Sequence, residues 1–496
     1  MRLLFFRSFS VKNSGKFVIP SWYKPNRTLL KKLPLRPAFQ IWLNSFKPKR
    51  LEHLQKDLVD LMLPETHEEN QGIVREFKRV VINKKGDFIN EVGLKVVNGE
   101  KLPTKHIVFI HGYGASLGCF ARNFQLINKF KQSNKYNYHI HFLDNLTFGL
   151  SSNPKVDNNS ISYWSIPRCA SIRMIDNEPT NSKKLYKKYY KLIEGYQLHP
   201  DDFHSYKQHF SPILEDLEKF YCQGIDSWRE SSGIDKIDFL IGHSYGGYWS
   251  GSYSLRYHDK LSNLILLSPV GVERHVHAVT NEVSTRDIQT PSLDPTSFKF
   301  LTRLPILSAQ HVKKWYGIQP FLPRFLRFLG PWGVQQYFGM WMSKLYKINK
   351  LIEKHGGPET VFTNHNDLIY GKKKEIKLII EYLYNSITSG THSDIYIKYL
   401  LTPATVSKWP LYDKFHKKLS ENPEDIKFNI NLIYGQYDFM NSEAGNKLIS
   451  DLKFKLGEDT KKEYSEVSEG GHNLYIDNPF ETNQKIFDIV MDQEDK

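Results

Sequence analysis

Cysteine is scarce: Cys119, Cys169 and Cys222 are the only three in 496 residues. An odd, unclustered set of thiols excludes a disulfide framework and offers no thiolate metal spacing. No stretch of 18 apolar residues occurs, so nothing is expected to span a bilayer and any membrane contact must be peripheral. A Gly-rich phosphate loop is missing, as is a recognition module with base-reading aromatics. No cofactor, metal or nucleic-acid partner is therefore expected.

Acidic residues are missing from the first 50 positions, which hold 12 Lys and Arg; the remainder carries 56 basic against 53 acidic residues and is close to neutral. The start, Met1-Arg2-Leu3-Leu4-Phe5-Phe6-Arg7-Ser8-Phe9-Ser10, mixes arginine, serine and bulky apolar residues without the continuous apolar core of a secretory signal. That composition fits a mitochondrial targeting segment. Arg7-Ser8-Phe9-Ser10 resembles a matrix-peptidase site cut after Phe9, and a longer presequence ending before Leu51 fits as well. A basic arm over 1–50, either membrane-surface or disordered, is the alternative reading.

What is present begins with Gly242-His243-Ser244-Tyr245-Gly246, which follows the apolar run Ile237 to Ile241 and opens a Gly- and Tyr-rich segment that reads as a helix. A G-x-S-x-G string at a strand-to-helix turn exposes a serine hydroxyl where helix-start amides can support negative charge. The string alone is weak in a chain with 30 glycines, so its context decides. Upstream, Ile107-Val108-Phe109-Ile110 breaks into His111-Gly112-Tyr113-Gly114. This is the position from which a loop lends one oxyanion N–H, the residue after the nucleophile lending the other; Tyr113 and Tyr245 are the expected donors.

Downstream, Asn431-Leu432-Ile433-Tyr434-Gly435-Gln436-Tyr437-Asp438 is another strand followed by a loop acid, and Gly470-Gly471-His472 precedes a final amphipathic stretch. Ser244, Asp438 and His472 satisfy the chain order of a serine triad in a doubly covered parallel α/β sheet. His472 would take the Ser244 proton during attack on an ester carbonyl, with Asp438 fixing its tautomer. Asp477, at the end of a His472-x4-Asp477 string, reads equally as a turn cap before Pro479.

These motifs resemble the branch of α/β-hydrolases that contains the ABHD4/ABHD5-type lipid enzymes and the fungal mitochondrial cardiolipin-specific deacylase. Gly242 to Tyr248 is similar to the branch's elbow, Leu267-Ser268-Pro269-Val270-Gly271 to its following strand, and Arg327-Phe328-Leu329-Gly330-Pro331-Trp332-Gly333 to its cap signature; Lys408-Trp409-Pro410-Leu411 also matches. The resemblance covers roughly residues 70 to 490. It implies an α/β-hydrolase core in two parts, 70–270 and 406–496, a cap over 271–405, and a polar insertion at about 155–215 that does not map onto the branch.

It also implies a phospholipase A type serine enzyme that deacylates cardiolipin, peripheral on the matrix face of the inner mitochondrial membrane. Arg324 and Arg327, within the aromatic cap stretch Trp315 to Leu329, are then the headgroup candidates. The H-x4-D string implies, as an alternative, acyl-CoA-dependent acylation of lysophosphatidic acid. A non-catalytic lipase coactivator is the third reading.

Overall fold

The computed structural model describes residues 33–165, 168, 170, 172–175, 195–300, 316–318, 321–355, 370–402, 405–457 and 461–493. The expected cleavage site near Phe9 and much of the expected polar insertion at about 155–215 lie outside them.

Alternation along the strands builds two cores. Ile107 and Phe109 face one side of the sheet and Val108 and Ile110 the other, and each set joins a separate apolar cluster. The strands are β1 (Ile73–Val81), β2 (Phe88–Val96), β3 (Thr104–Ile110), β4 (Asn137–Leu143), β5 (Ile172–Ile175), β6 (Gly195–Leu198), β7 (Ile237–His243), β8 (Leu261–Leu267), β9 (Asn429–Gly435) and β10 (Lys462–Val467). Eight form one sheet in the order β1-β2-β4-β3-β7-β8-β9-β10, while β5 and β6 pair as a separate hairpin. In the large sheet, β2 runs antiparallel to both of its neighbours and every other pairing is parallel.

Helices used below are α1 (Leu35–Asn44), α2 (Arg50–Met62), α3 (Pro200–Ser231), α4 (Ser244–Arg256), α5 (Leu322–Phe328), α6 (Gly330–Leu345), α7 (Lys373–Ile387), α8 (Ser393–Leu400), α9 (Leu474–Asp477) and α10 (Pro479–Met491). Helices α3 and α4 cover the face of Val108 and Ile110; α1, α2, α6, α7 and α10 cover the other. Parallel strands buried on both faces account for the unbroken apolar runs in the sequence.

Two expected boundaries move. The segment read as a basic arm over 1–50 includes α1, whose Ala38 and Ile41 are buried against the second core; Trp42 Nε1–H donates to the Arg327 carbonyl at 3.0 Å. Its apolar stripe outweighs the missing acids. The polar insertion at 155–215 also ends earlier, because α3 begins at Pro200 and buries Phe203, Tyr206, Phe210, Ile213 and Leu214. That helical spacing is interrupted by Lys, His and Asp on the outer face, which disguised it.

The cap region is joined firmly to the core. Arg122, following the β3 loop, makes a buried two-bond contact with Glu375 of α7 at 2.7 and 3.1 Å and donates to the Ile476 carbonyl at 2.6 Å. Cap helix, core segment and C-terminal turn thus share one guanidinium.

Candidate active site

The strand β7 ends at His243 and α4 starts at Ser244, whose φ of +52° is left-handed backbone. Such a conformation is costly for a residue with a Cβ and persists where the surroundings enforce it. Here the enforcement is close packing: a Cβ on Gly246 would lie 2.3 Å from the His111 carbonyl oxygen, so only glycine lets the elbow touch the β3 loop. The Val270 N–H donates to the Ser244 carbonyl at 3.1 Å and anchors the turn from β8.

The structure brings the three expected residues together. Ser244 Oγ lies 2.9 Å from His472 Nε2, and His472 Nδ1 lies 3.1 Å from Asp438 Oδ1. Asp438 is buried, and burial alone would raise its pKa; the adjacent His472 imidazole and the Met440 N–H outweigh it and hold the carboxyl below its usual value. An ionised Asp438 accepts from Nδ1–H, which leaves Nε2 free to accept the serine proton.

This is the α/β-hydrolase fold. The deciding observations are the eight-strand order with a single reversed second strand and a strained serine between the fifth of those strands and its helix. A family profile described as alpha/beta hydrolase fold matches residues 105–299. The chain is 26% identical over 469 residues to Protein ECM18 of Saccharomyces cerevisiae, covering 92% of this chain and 85% of that one. It is 25% identical over 387 residues to the 1-acylglycerol-3-phosphate O-acyltransferase ICT1 of the same yeast, covering 75% and 78%. With the 1-acylglycerol-3-phosphate O-acyltransferase ABHD5 of Homo sapiens it shares 21% over 384 residues, covering 77% and 76%. These relatives support the resemblance to the ABHD5-like branch.

In this α/β-hydrolase chain the two expected oxyanion donors sit on facing elements. Tyr245 is the second residue of α4, where first-turn N–H groups lack intrahelical acceptors. Tyr113 follows Gly112, whose α-carbon side faces the His243 ring and the Ser244 side chain. A small, partly open cleft lined by Tyr113, Gly114, Phe148, Ile387 and Asp394 lies beside this loop.

The two headgroup candidates separate. Arg324 is exposed, bonds the Tyr163 hydroxyl at 2.7 Å and acts electrostatically on Asp394 of the cleft. Arg327 instead donates to the Ser45 carbonyl and lies 4.3 Å from the Phe46 ring centroid. Its guanidinium joins the cap to the residues just after α1, so part of it is engaged in packing.

Three supporting residues escaped the sequence reading. His243 Nε2 bonds the His472 carbonyl at 2.9 Å; burial and the neighbouring His472 push its pKa down to about 3, so it stays neutral as a buttress. Asp144, fully buried and raised to about 6 by that burial, accepts from the Leu117 and Leu150 N–H groups at 2.7 and 2.9 Å and fixes the loop after Tyr113. Asp394 accepts from the Tyr113 hydroxyl at 3.3 Å. Asp477, read either as part of the H-x4-D string or as a turn cap before Pro479, accepts from the Gly471 N–H at 2.9 Å, while the Asn478 side chain caps α10. His243, Asp144 and Asp394 carry no spacing signal of their own, because the His472 carbonyl, the Leu117 N–H and the Tyr113 hydroxyl they meet are remote in sequence.

Proposed function

We propose that the chain is a serine acyl-ester enzyme acting on phospholipid at a membrane surface. The Ser244–His472–Asp438 hydrogen-bonded chain carries this reading. His472 removes the hydroxyl proton as Ser244 Oγ attacks an ester carbonyl, the Tyr113 and Tyr245 amides receive the developing oxyanion, and the protonated imidazole returns the proton to the leaving alcohol. Water then releases the acyl group from Ser244 by the reverse sequence.

Cardiolipin is the substrate favoured by the motif resemblance, and the acid-free N-terminus favours a mitochondrial, matrix-facing site of action. Peripheral attachment is supported by an apolar surface shared by α1, α5 and the start of α6: Phe39, Phe46, Phe328 and Trp332 are 46, 56, 84 and 58% exposed. Arg36, Lys47, Lys49 and Arg324 are exposed on the same two segments, a mixture that suits anionic headgroups. Among the described residues no helix is long and apolar enough to cross a membrane.

The names of the yeast and human relatives favour a second reading, in which the acyl group reaches the hydroxyl of a lysophosphatidic acid instead of water. One assay separates them. Purified protein is incubated with cardiolipin vesicles, or with labelled acyl-CoA and lysophosphatidic acid. Serine-dependent fatty acid release from cardiolipin supports the first; label in phosphatidic acid without such release supports the second. Neither product, or equal yields from Ser244→Ala, overturns both and leaves the coactivator reading.

A further inference from the structure

A second gathering of chemically active side chains lies on β1 to β4, toward the opposite end of the sheet from the elbow. His106 is in register with His139 of the adjacent parallel strand, and His141 follows two residues on, so all three share one face. Register adds the next two strands: Gly93 of β2 pairs with His141 on one side and with Glu76 of β1 on the other, and Glu91 lies on the same face as Gly93. The candidate ligand nitrogens of the three histidines fall within 4.8 Å of one another, as do the ligand atoms of Glu76, Glu91 and His139.

The contacts within the group are those of oriented ligands. His106 Nδ1 and His141 Nε2 are 3.0 Å apart. The other nitrogen of His141 lies 2.7 Å from Glu91 Oε1, and Glu91 Oε2 accepts from Trp228 Nε1–H at 2.9 Å. A histidine whose far nitrogen donates to a tethered carboxylate is held with its near nitrogen aimed at one point, the arrangement that orients metal-bound imidazoles. His139 lies tilted against His141 with ring centroids 3.7 Å apart, and its buried Nε2 makes no hydrogen bond, its nearest acid oxygen being Glu76 Oε2 at 3.3 Å. Buried polar atoms left unpaired call for a reason.

Gly93 supplies the room. A Cβ there would lie 2.7 Å from His139 Nε2, 3.2 Å from Glu91 Oε1 and 3.3 Å from Glu76 Oε2, so any larger residue would fill the space toward which these atoms converge. Lys78, 2.6 Å from Glu76 Oε2, partly neutralises that acid at the rim.

We propose that His106, His139 and His141 bind one divalent transition-metal ion of the zinc class, with Glu91 orienting His141 and Glu76 completing the ligand set. Imidazole donors select this class over calcium or magnesium. His106 precedes His111 by five strand residues, roughly 16 Å from the serine loops. The ion therefore clasps the antiparallel edge, β1 and β2, to the parallel strands β3 and β4, and takes no part in acyl chemistry.

The test uses the full chain without a polyhistidine tag, stripped with EDTA and dialysed against zinc sulfate or cobalt chloride. About one zinc per chain is expected by mass spectrometry, with a visible d–d spectrum for cobalt and a higher Tm for the loaded protein. His139→Gln and His141→Gln should abolish the stoichiometric binding and the zinc-dependent rise in Tm, and Glu91→Gln should weaken affinity about 10- to 100-fold. Because glutamine keeps size and polarity, a Tm of the metal-free variants close to that of the metal-free wild type shows that they fold. Only substoichiometric zinc on the wild-type chain, or stoichiometric zinc that survives both histidine substitutions, overturns the assignment in favour of a metal-free hydrogen-bonded cluster.

Discussion

The Asp477 carboxylate accepts from the Gly471 N–H at 2.9 Å, one residue before the His472 imidazole. The acid of the H-x4-D string thus fixes the loop that carries the base. Asp477→Asn keeps a carbonyl oxygen for Gly471 and should retain most activity, whereas Asp477→Ala should lower kcat about 10- to 100-fold by loosening His472. Both should leave the ratio of transfer to hydrolysis unchanged. A transfer-specific loss in Asp477→Asn would give Asp477 a direct part in acceptor recognition.

Removing the nucleophile or mis-setting the imidazole should be far more severe. Ser244→Ala and Asp438→Asn are each expected to lower kcat by about 10,000-fold or more with the fold intact. Turnover of a soluble short-chain ester, alongside a thermal melt, measures both quantities.

Asp394 gives the cleft a pH dependence. Burial lifts its carboxyl to about 7. Between an unfolded value near 3.8 and this folded one, the folded chain holds the extra proton, so the contribution of this group to stability falls as pH climbs from about 4 to about 7. Asp394→Asn should therefore flatten that part of the Tm profile. If an anionic lipid enters the cleft, KM should rise above pH 7 in the wild type and rise less in the variant.

The Arg122–Glu375 pair should reveal how tightly cap and core are joined. Arg122→Met or Glu375→Leu alone strands a buried charge and is expected to cost about 3–5 kcal/mol in denaturant titration, while the double substitution should recover much of the loss.

Phe328→Ser with Trp332→Ser should weaken binding to anionic vesicles in a flotation assay while sparing hydrolysis of a soluble ester, since both side chains are largely exposed. Unchanged vesicle binding would move the membrane surface elsewhere on the molecule.

The sheet was legible where its strands are apolar runs that break near glycine, as at Ile107 to Ile110, Phe239 to Ile241 and Leu432 to Tyr434, and the elbow because its glycines have steric reasons to be there. Ser244 and Asp438 could be placed because each follows such a run, and His472 by its Gly470-Gly471 approach near the end of the chain. The helix α1 was hidden by a basic composition that spoke of a leader, although Ala38 and Ile41 already lie one helical turn apart. The packing contacts of Arg327 were not legible because they are made to Ser45 and Phe46, nearly three hundred positions away. His139 and His141 announce a shared strand face, but His106, Glu76 and Glu91 join them only through register across four strands, which no local pattern encodes.

The packing of α1 on the cap constrains maturation of the chain. If a leader is removed during import, the cut has to fall upstream of Leu33, whose carbonyl accepts from Gln335 of α6 at 2.7 Å. Proteolysis any later would take a structural helix, Trp42 with it, away from Arg327 and lay open the greasy flank of the lid, turning the processed chain into a substrate for quality control.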